Sequence, residues 1–311
     1  MPWLYLNGNL VREDEAAVSA LDRAFFHGHA LIETFRSRDG CVFRLAQHYE
    51  RLCRGGEVLG IPIQLTLPDL EAAVATVLAR NERPDARLRL TVTAGPEGAM
   101  LRSAAADQHE RNAIATPPDP LALRFSKGER RSHVTLTAVP LTDYPPQLYE
   151  RGMHATVAGV RRNETSPLSR IKCAAGLLDG VLAREQARAA GFDEAIMLNT
   201  RGLVAEATVS NVFAVKAGRL LTPPVEAGAM PGVTRAAVVE LAREAGVDAM
   251  EADLSLEELR TAVEAFLTNS VMGVMPLTRL DGAAIGGGKP GEMTGAVGRL
   301  LTEAARRASP L

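Results

Sequence analysis

Lys172 opens the apolar run Ser169-Arg170-Ile171-Lys172-Cys173-Ala174-Ala175-Gly176-Leu177-Leu178. Taken alone, a lysine is a surface residue that lays its stem on apolar neighbours. A lysine partly withdrawn from water is different, because desolvation lowers the amine pKa towards nucleophilic use. Such an amine suits imine formation with an aldehyde cofactor. Glu206 lies in Gly202-Leu203-Val204-Ala205-Glu206-Ala207-Thr208-Val209-Ser210-Asn211-Val212-Phe213, a strand-like pattern in which an acid is costly unless it faces a positive partner. An arginine would serve, and so would a protonated pyridine nitrogen. Pro231-Gly232-Val233-Thr234-Arg235 opens a helix whose first turn offers free N–H groups and a hydroxyl to a phosphate.

Other chemistries find little support. The six histidines show no HExxH spacing. His27 and His29 flank Gly28 and could share one strand face, where they would sooner tune a pocket than hold a metal. Gly286-Gly287-Gly288-Lys289 is followed by Pro290 and lacks the Ser or Thr of a nucleotide-binding loop, so it reads as a surface loop before the last helix. Cys41, Cys53 and Cys173 are too few and too scattered for a disulfide framework, which suits a reducing, cytoplasmic setting. Lys+Arg 35 against Asp+Glu 37 gives no pull towards nucleic acid or an anionic membrane. With no long apolar run and no secretory leader, the chain is expected to be soluble and unprocessed.

Several elements must position these groups. Residues 3–12 read as a hairpin about Asn7-Gly8. Residues 44–60 and 67–80 have helical spacing, and 87–94 and 133–140 alternate as strands. Between them, 95–131 is polar and proline-bearing and is expected to be an extended, mobile loop. Thr142-Asp143-Tyr144-Pro145-Pro146 breaks the pattern and marks a boundary. Beyond it, 177–190 and 234–245 read as helices, and Ser255 starts a third with a capping box. Residues 194–198, 203–215 and 265–276 read as strands, with a turn at 216–219. The expected fold class is α+β. The expected organisation is a small N-terminal α+β domain at 1–141, a linker at 142–150 and a larger β-rich domain at 151–311.

In order and spacing, these segments resemble the fold-type IV PLP (pyridoxal 5'-phosphate) enzymes: branched-chain aminotransferases, D-amino-acid aminotransferases and 4-amino-4-deoxychorismate lyases. Asp22-Arg23-Ala24-Phe25-Phe26-His27-Gly28-His29-Ala30-Leu31-Ile32-Glu33-Thr34-Phe35-Arg36 resembles the family's DRG-x-x-x-GDGLFET stretch, and His48-Tyr49-Glu50-Arg51-Leu52 its HxxRL motif. The resemblance spans nearly the whole chain. It implies a two-domain fold with pyridoxal 5'-phosphate between the domains, a small-molecule amine or amino-acid substrate, and a homodimer whose pocket residues cross the interface. By the same resemblance Lys172 carries the cofactor, Glu206 holds the pyridine nitrogen, and Arg51, Val233, Thr234 and Ser270 hold the phosphate.

The pocket positions choose between reactions. Thr34, which could assist proton transfer, Leu177 and Asn269 resemble the lyases, so the leading expectation is pyruvate elimination to leave 4-aminobenzoate. The alternative is a transaminase passing an amino group from a branched-chain L- or a D-amino acid to a 2-oxo acid. Ile32 stands where D-amino-acid enzymes have tyrosine, Ala99 and Leu101 near where they have an RxH pair, and His29-Ala30 replaces the usual Asp-Gly. His27, His29, Ile32 and Asn269 are the expected substrate pocket, with Arg102, Arg161 and Arg162 as candidates for the substrate carboxylate.

Overall fold

A computed structural model describes residues 1–96, 132–142 and 144–307. The expectations for 97–131, including Ala99, Leu101 and Arg102, lie outside the described residues.

The first half builds one antiparallel sheet backed by two helices. Strands β1 (Trp3–Leu6) and β2 (Asn9–Arg12) pair across Asn7 and Gly8, both at positive φ. A short helix α1 (Arg23–His27) leads into β3 (Ala30–Arg38) and β4 (Cys41–Val42). Helices α2 (Leu45–Leu59) and α3 (Leu67–Arg80) precede β5 (Ala86–Thr93) and β6 (Val134–Pro140). The strand order is β2-β1-β6-β5-β3-β4. Leu31, Phe35, Leu88, Leu90, Val92 and Leu136 pack from the sheet onto Leu52, Leu70, Val74 and Val77 of the helices. A Cβ at Gly55 would run into Leu31 and Ile171, so α2 lies this close only because no side chain intervenes.

The expected hairpin, helices and strands of this half appear within a residue of their sequence bounds. Strand β3 is the exception. Its inward row is Leu31, Glu33, Phe35 and Ser37, and two polar residues in that row hide the alternation that marks a strand.

The second half opens with α4 (Pro146–Arg151), so a helix begins at the second of the two prolines at the expected boundary. Then come β7 (Met153–Val157), two 3₁₀ turns at Pro167–Arg170 and Ala175–Leu177, and α5 (Leu178–Ala189). Strands β8 (Glu194–Leu198), β9 (Val204–Ala207), β10 (Asn211–Lys216) and β11 (Arg219–Thr222) lead to α6 (Val233–Glu244) and β12 (Ala249–Glu251). Helix α7 (Leu256–Arg260), β13 (Glu264–Asn269), β14 (Gly273–Leu280), β15 (Ala283–Ala284) and α8 (Glu292–Arg306) complete it. The sheet runs β12-β11-β10-β13-β14-β7-β8-β9, with β15 on β14. It curls until β9 returns towards β10, where the Ala207 amide donates to the Ser210 carbonyl at 2.8 Å. Helices α6 and α8 bury Val238, Ala242, Val297 and Leu301 against Phe213 and Phe266, whose rings stack at 4.8 Å.

Two segments read as single strands are pairs. Residues 203–215 break at Thr208-Val209-Ser210, where α5 packs so closely that a Cβ on Gly180 would meet the Thr208 carbonyl. Residues 265–276 break at Ser270-Val271-Met272. There the Asn269 side-chain oxygen accepts from the Val271 and Met272 amides, both at 2.9 Å, and Gly273 takes φ +69°. This Asx turn was written in Asn269 and Gly273, and it aims Ser270 outward from the hairpin. Replacing Asn269 by alanine strips two amides of their acceptor and should cost about 1–2 kcal/mol of stability in denaturant unfolding; an unchanged midpoint would show that the turn holds without it.

Candidate active site

The segment carrying Lys172 belongs to the second half in sequence but is clamped to the first. The Ile32 amide donates to the Lys172 carbonyl at 2.9 Å, the Ala174 amide donates to the Ala30 carbonyl at 2.9 Å, and Cys173 bridges Leu31. The start of β3 thus fixes the lysine backbone. Burial lowers the Lys172 amine below its ordinary value and the Arg51 charge lowers it further, against the opposing pull of Glu33 and Glu206. This is the desolvated amine the sequence suggested.

Behind it lies Glu33, 1% exposed. Arg51 grips its carboxylate through Nε at 2.8 Å and Nη2 at 2.6 Å, and His48 Nδ1 lies 2.7 Å from Oε2. Burial alone would raise this acid, but Arg51 and His48 hold it down to about 2. The His48 imidazole is pushed below its usual value, first by burial. A neutral ring that donates from Nδ1 to the carboxylate must accept at Nε2, where Ser270 Oγ stands at 3.4 Å. Ser270 in turn meets Thr234 Oγ1 at 3.3 Å. Arg51 also donates from Nη1 to the Pro231 carbonyl at 3.0 Å. Three of its five N–H groups are spent in this way, leaving one on each terminal nitrogen for a ligand.

Thr234 is the second residue of α6, whose N-cap Gly232 supplies no side-chain cap, so first-turn N–H groups stay free. A Cβ on Gly232 would collide with the Asn211 amide, which itself donates to Met230. Guanidinium, two hydroxyls and a helix N-terminus make a donor set that fits a phosphate.

Glu206 lies across the site, nearly buried. Its Oε2 accepts from the Met230 amide at 2.8 Å and its Oε1 lies 3.0 Å from Arg162 Nε. The arginine alternative raised by the sequence is therefore realised. Arg162 also donates to the Gly176 and Ser169 carbonyls, so it buttresses both Glu206 and the lysine loop. Even so, burial raises the Glu206 carboxyl more than Arg162, the Met230 amide and Lys172 lower it. A further positive group there would be welcome, as a ring N–H would be.

A cavity of about 550 Å³ joins these parts. Lys172, Glu206, Arg51, Val233, Thr234 and Ser270 all line it, as do Thr34, Leu177 and Asn269. A second cavity of about 620 Å³ shares Thr234 and Ser270 but reaches neither Lys172 nor Glu206. Three expected pocket residues do not line the lysine cavity. His27 is exposed at the end of α1, His29 Nε2 contacts the Leu59 carbonyl at 2.8 Å, and Ile32 is buried at 4% exposure. Helix α1 closes at Gly28 in a left-handed cap, and the two histidines lie on either side of it, ahead of β3.

The network of Glu33, His48 and Arg162 had only partial sequence signals. Glu33 and His48 sit inside the family-like motifs without a role of their own, and nothing local marks Arg162 as a partner of Glu206.

The amino-transferase class IV family matches residues 30–280, and the chain belongs to it. It is 35% identical over 291 residues to a Methanocaldococcus jannaschii protein provisionally named a branched-chain-amino-acid aminotransferase, spanning 94% of this chain and 92% of the relative. A D-alanine aminotransferase of Bacillus licheniformis is 30% identical, over 93% and 92% of the two chains. The branched-chain amino acid aminotransferase of Thermobaculum terrenum, solved in its PLP form, superposes with a TM-score of 0.80 at 25% identity, over 97% and 93%. The chain is a fold-type IV, PLP-dependent enzyme, and these relatives are aminotransferases, not the lyase expected first. No described helix is long and apolar enough to cross a membrane.

Glu33 gives the site an acid limit. Its folded pKa lies below the ordinary value, so its contribution is complete above about pH 4.5 and is lost as pH falls towards about 2. Over that window Glu33→Gln should lose stability less steeply than the wild type, read from thermal midpoints at stepped pH; parallel curves would remove Glu33 as the source.

Proposed function

We propose that this enzyme is a transaminase that moves an amino group between an amino acid and a 2-oxo acid. The carrying observation is that Lys172, Glu206 and the clamp of Arg51, Thr234 and Ser270 line one cavity. The names of the relatives support amino acids as substrates, and they include both branched-chain and D-alanine enzymes. Pyridoxal 5'-phosphate, when bound, supplies an aldehyde for imine formation and an electron sink for charge at the substrate α-carbon.

The residues then divide the work. Lys172, its pKa lowered by burial and by Arg51, offers an uncharged amine more readily than a surface lysine and moves the proton at the α-carbon. Glu206, backed by Arg162 and the Met230 amide, holds the ring N–H. Arg51, the Val233 and Thr234 amides and the two hydroxyls would hold the phosphate of the bound cofactor. We further propose that 142–150 joins a small domain at 1–141 to a large one at 151–311. Exposed Phe25, Phe26, Leu178, Val181 and Leu182 support a homodimer that covers them, and three free thiols suit a cytoplasmic setting.

A second reading, the 4-amino-4-deoxychorismate lyase, keeps one observation: Thr34, Leu177 and Asn269 all line the cavity. PLP-loaded enzyme mixed with panels of D- and L-amino acids should lose its imine absorbance and regain it with a 2-oxo acid. Pyruvate and 4-aminobenzoate from aminodeoxychorismate, without that cycle, would make it the lyase. Lys172→Ala should abolish turnover and the imine absorbance; appreciable residual turnover would falsify its role. Thr234→Ala and Ser270→Ala should each weaken PLP retention about tenfold, measured by cofactor titration.

A further inference from the structure

The lysine cavity is lined by more positive charge than the cofactor accounts for. Its cations are Lys172, Arg51, Arg87, Arg184 and Arg188, against Glu206. Arg51 is held by Glu33 and Pro231. Arg188 pairs with Glu185 at 3.4 Å, and Arg184 lies close enough to buried Glu194 to lower that acid. Arg87 differs: among the described residues its side chain makes no hydrogen bond or ion pair.

Its position on the sheet sets it beside further positive charge. Strand β5 alternates buried Ala86, Leu88 and Leu90 with exposed Arg87 and Arg89, so both arginines stand on the face away from α2 and α3. In the β3–β5 ladder Arg87 faces Arg36 directly, and Arg89 faces Thr34. Like charges directly opposite on neighbouring strands destabilise a sheet. Arg36 Nη1 donates to the Val271 carbonyl at 3.3 Å, directing that guanidinium to the 270–272 turn and leaving Arg87 to the cavity.

Of the other candidates for a carboxylate contact, Arg102 lies outside the described residues, and the two described ones are engaged or placed elsewhere. Arg162 is 3% exposed and committed to Glu206, Ser169 and Gly176, and Arg161 is exposed and does not line the cavity. We infer that Arg87 is the anchor for the substrate carboxylate, binding an α-amino acid or 2-oxo acid from the first sheet while Lys172 works at its α-carbon. This rests on the transaminase reading and names the group that selects amino acids over simple amines.

The test uses holoenzyme and the variants Arg87→Met and Arg87→Lys. The first readout is calorimetric binding of 4-methylvalerate, an unreactive carboxylate. The second is kcat/KM for the best amino acid of the wild type and for the amine lacking its carboxylate. Loss of a charge-assisted contact should raise the 4-methylvalerate Kd tenfold to a hundredfold, on the order of such contacts, with Arg87→Lys in between. Discrimination between amino acid and amine should fall by a similar factor. An unchanged Kd, a wild type that does not bind the carboxylate, or equal losses for acid and amine would each overturn the anchor. If no amino acid or 2-oxo acid reacts with the wild type, the transaminase reading fails by itself, and the calorimetric comparison still decides Arg87.

Discussion

A buried carboxylate, Glu33, holds the two halves of this enzyme in register. It could not stay charged in the first core without Arg51 and His48, and an unpaired buried charge of this kind costs about 3–5 kcal/mol. Each partner then reaches the other half. Arg51 donates to Pro231 at the entry to α6, and His48 contacts Ser270 in the β13–β14 turn. Around the same point lie a guanidinium, two hydroxyls and a helix N-terminus.

The opposite end of the cavity uses the same device with a different balance. Glu206 has one guanidinium and one backbone amide, and burial outweighs them, so its carboxyl is raised where that of Glu33 is depressed. Two buried glutamates thus serve separate ends: one satisfied internally as a structural anchor, the other left with an appetite for a positive partner. Lys172 lies between them on a loop held by β3, and the fields of both acids oppose the desolvation that frees its amine.

Much of the frame was legible because its elements follow local rules. Asn7-Gly8 fixed the first hairpin, the capping box at Ser255 and Glu258 fixed the start of α7, and periodicity placed α2 and α3 nearly to the residue. Strand β3 escaped because two polar residues, Glu33 and Ser37, occupy its buried row. The strands at 203–215 and 265–276 were read as continuous because β-branched and apolar residues run on through both bends, while the breaks come from Asn269 and from α5 packing against Thr208.

The sequence by itself determined the chemistry of the parts: an amine in an apolar run, an acid in a strand, a glycine and a hydroxyl at a helix start, and motifs in an order that marks the family. Only the tertiary structure decided which groups meet. Glu33 and Arg51 are 18 residues apart, Arg51 and Pro231 are 180 apart, and His48 and Ser270 are 222 apart. Spacing along the chain carries no information about contacts closed by two separate sheets. The same limit explains why His27 and His29 looked like pocket residues and Arg87 did not: the turn at Gly28 and the face of β5 are set by packing, not by the neighbouring letters.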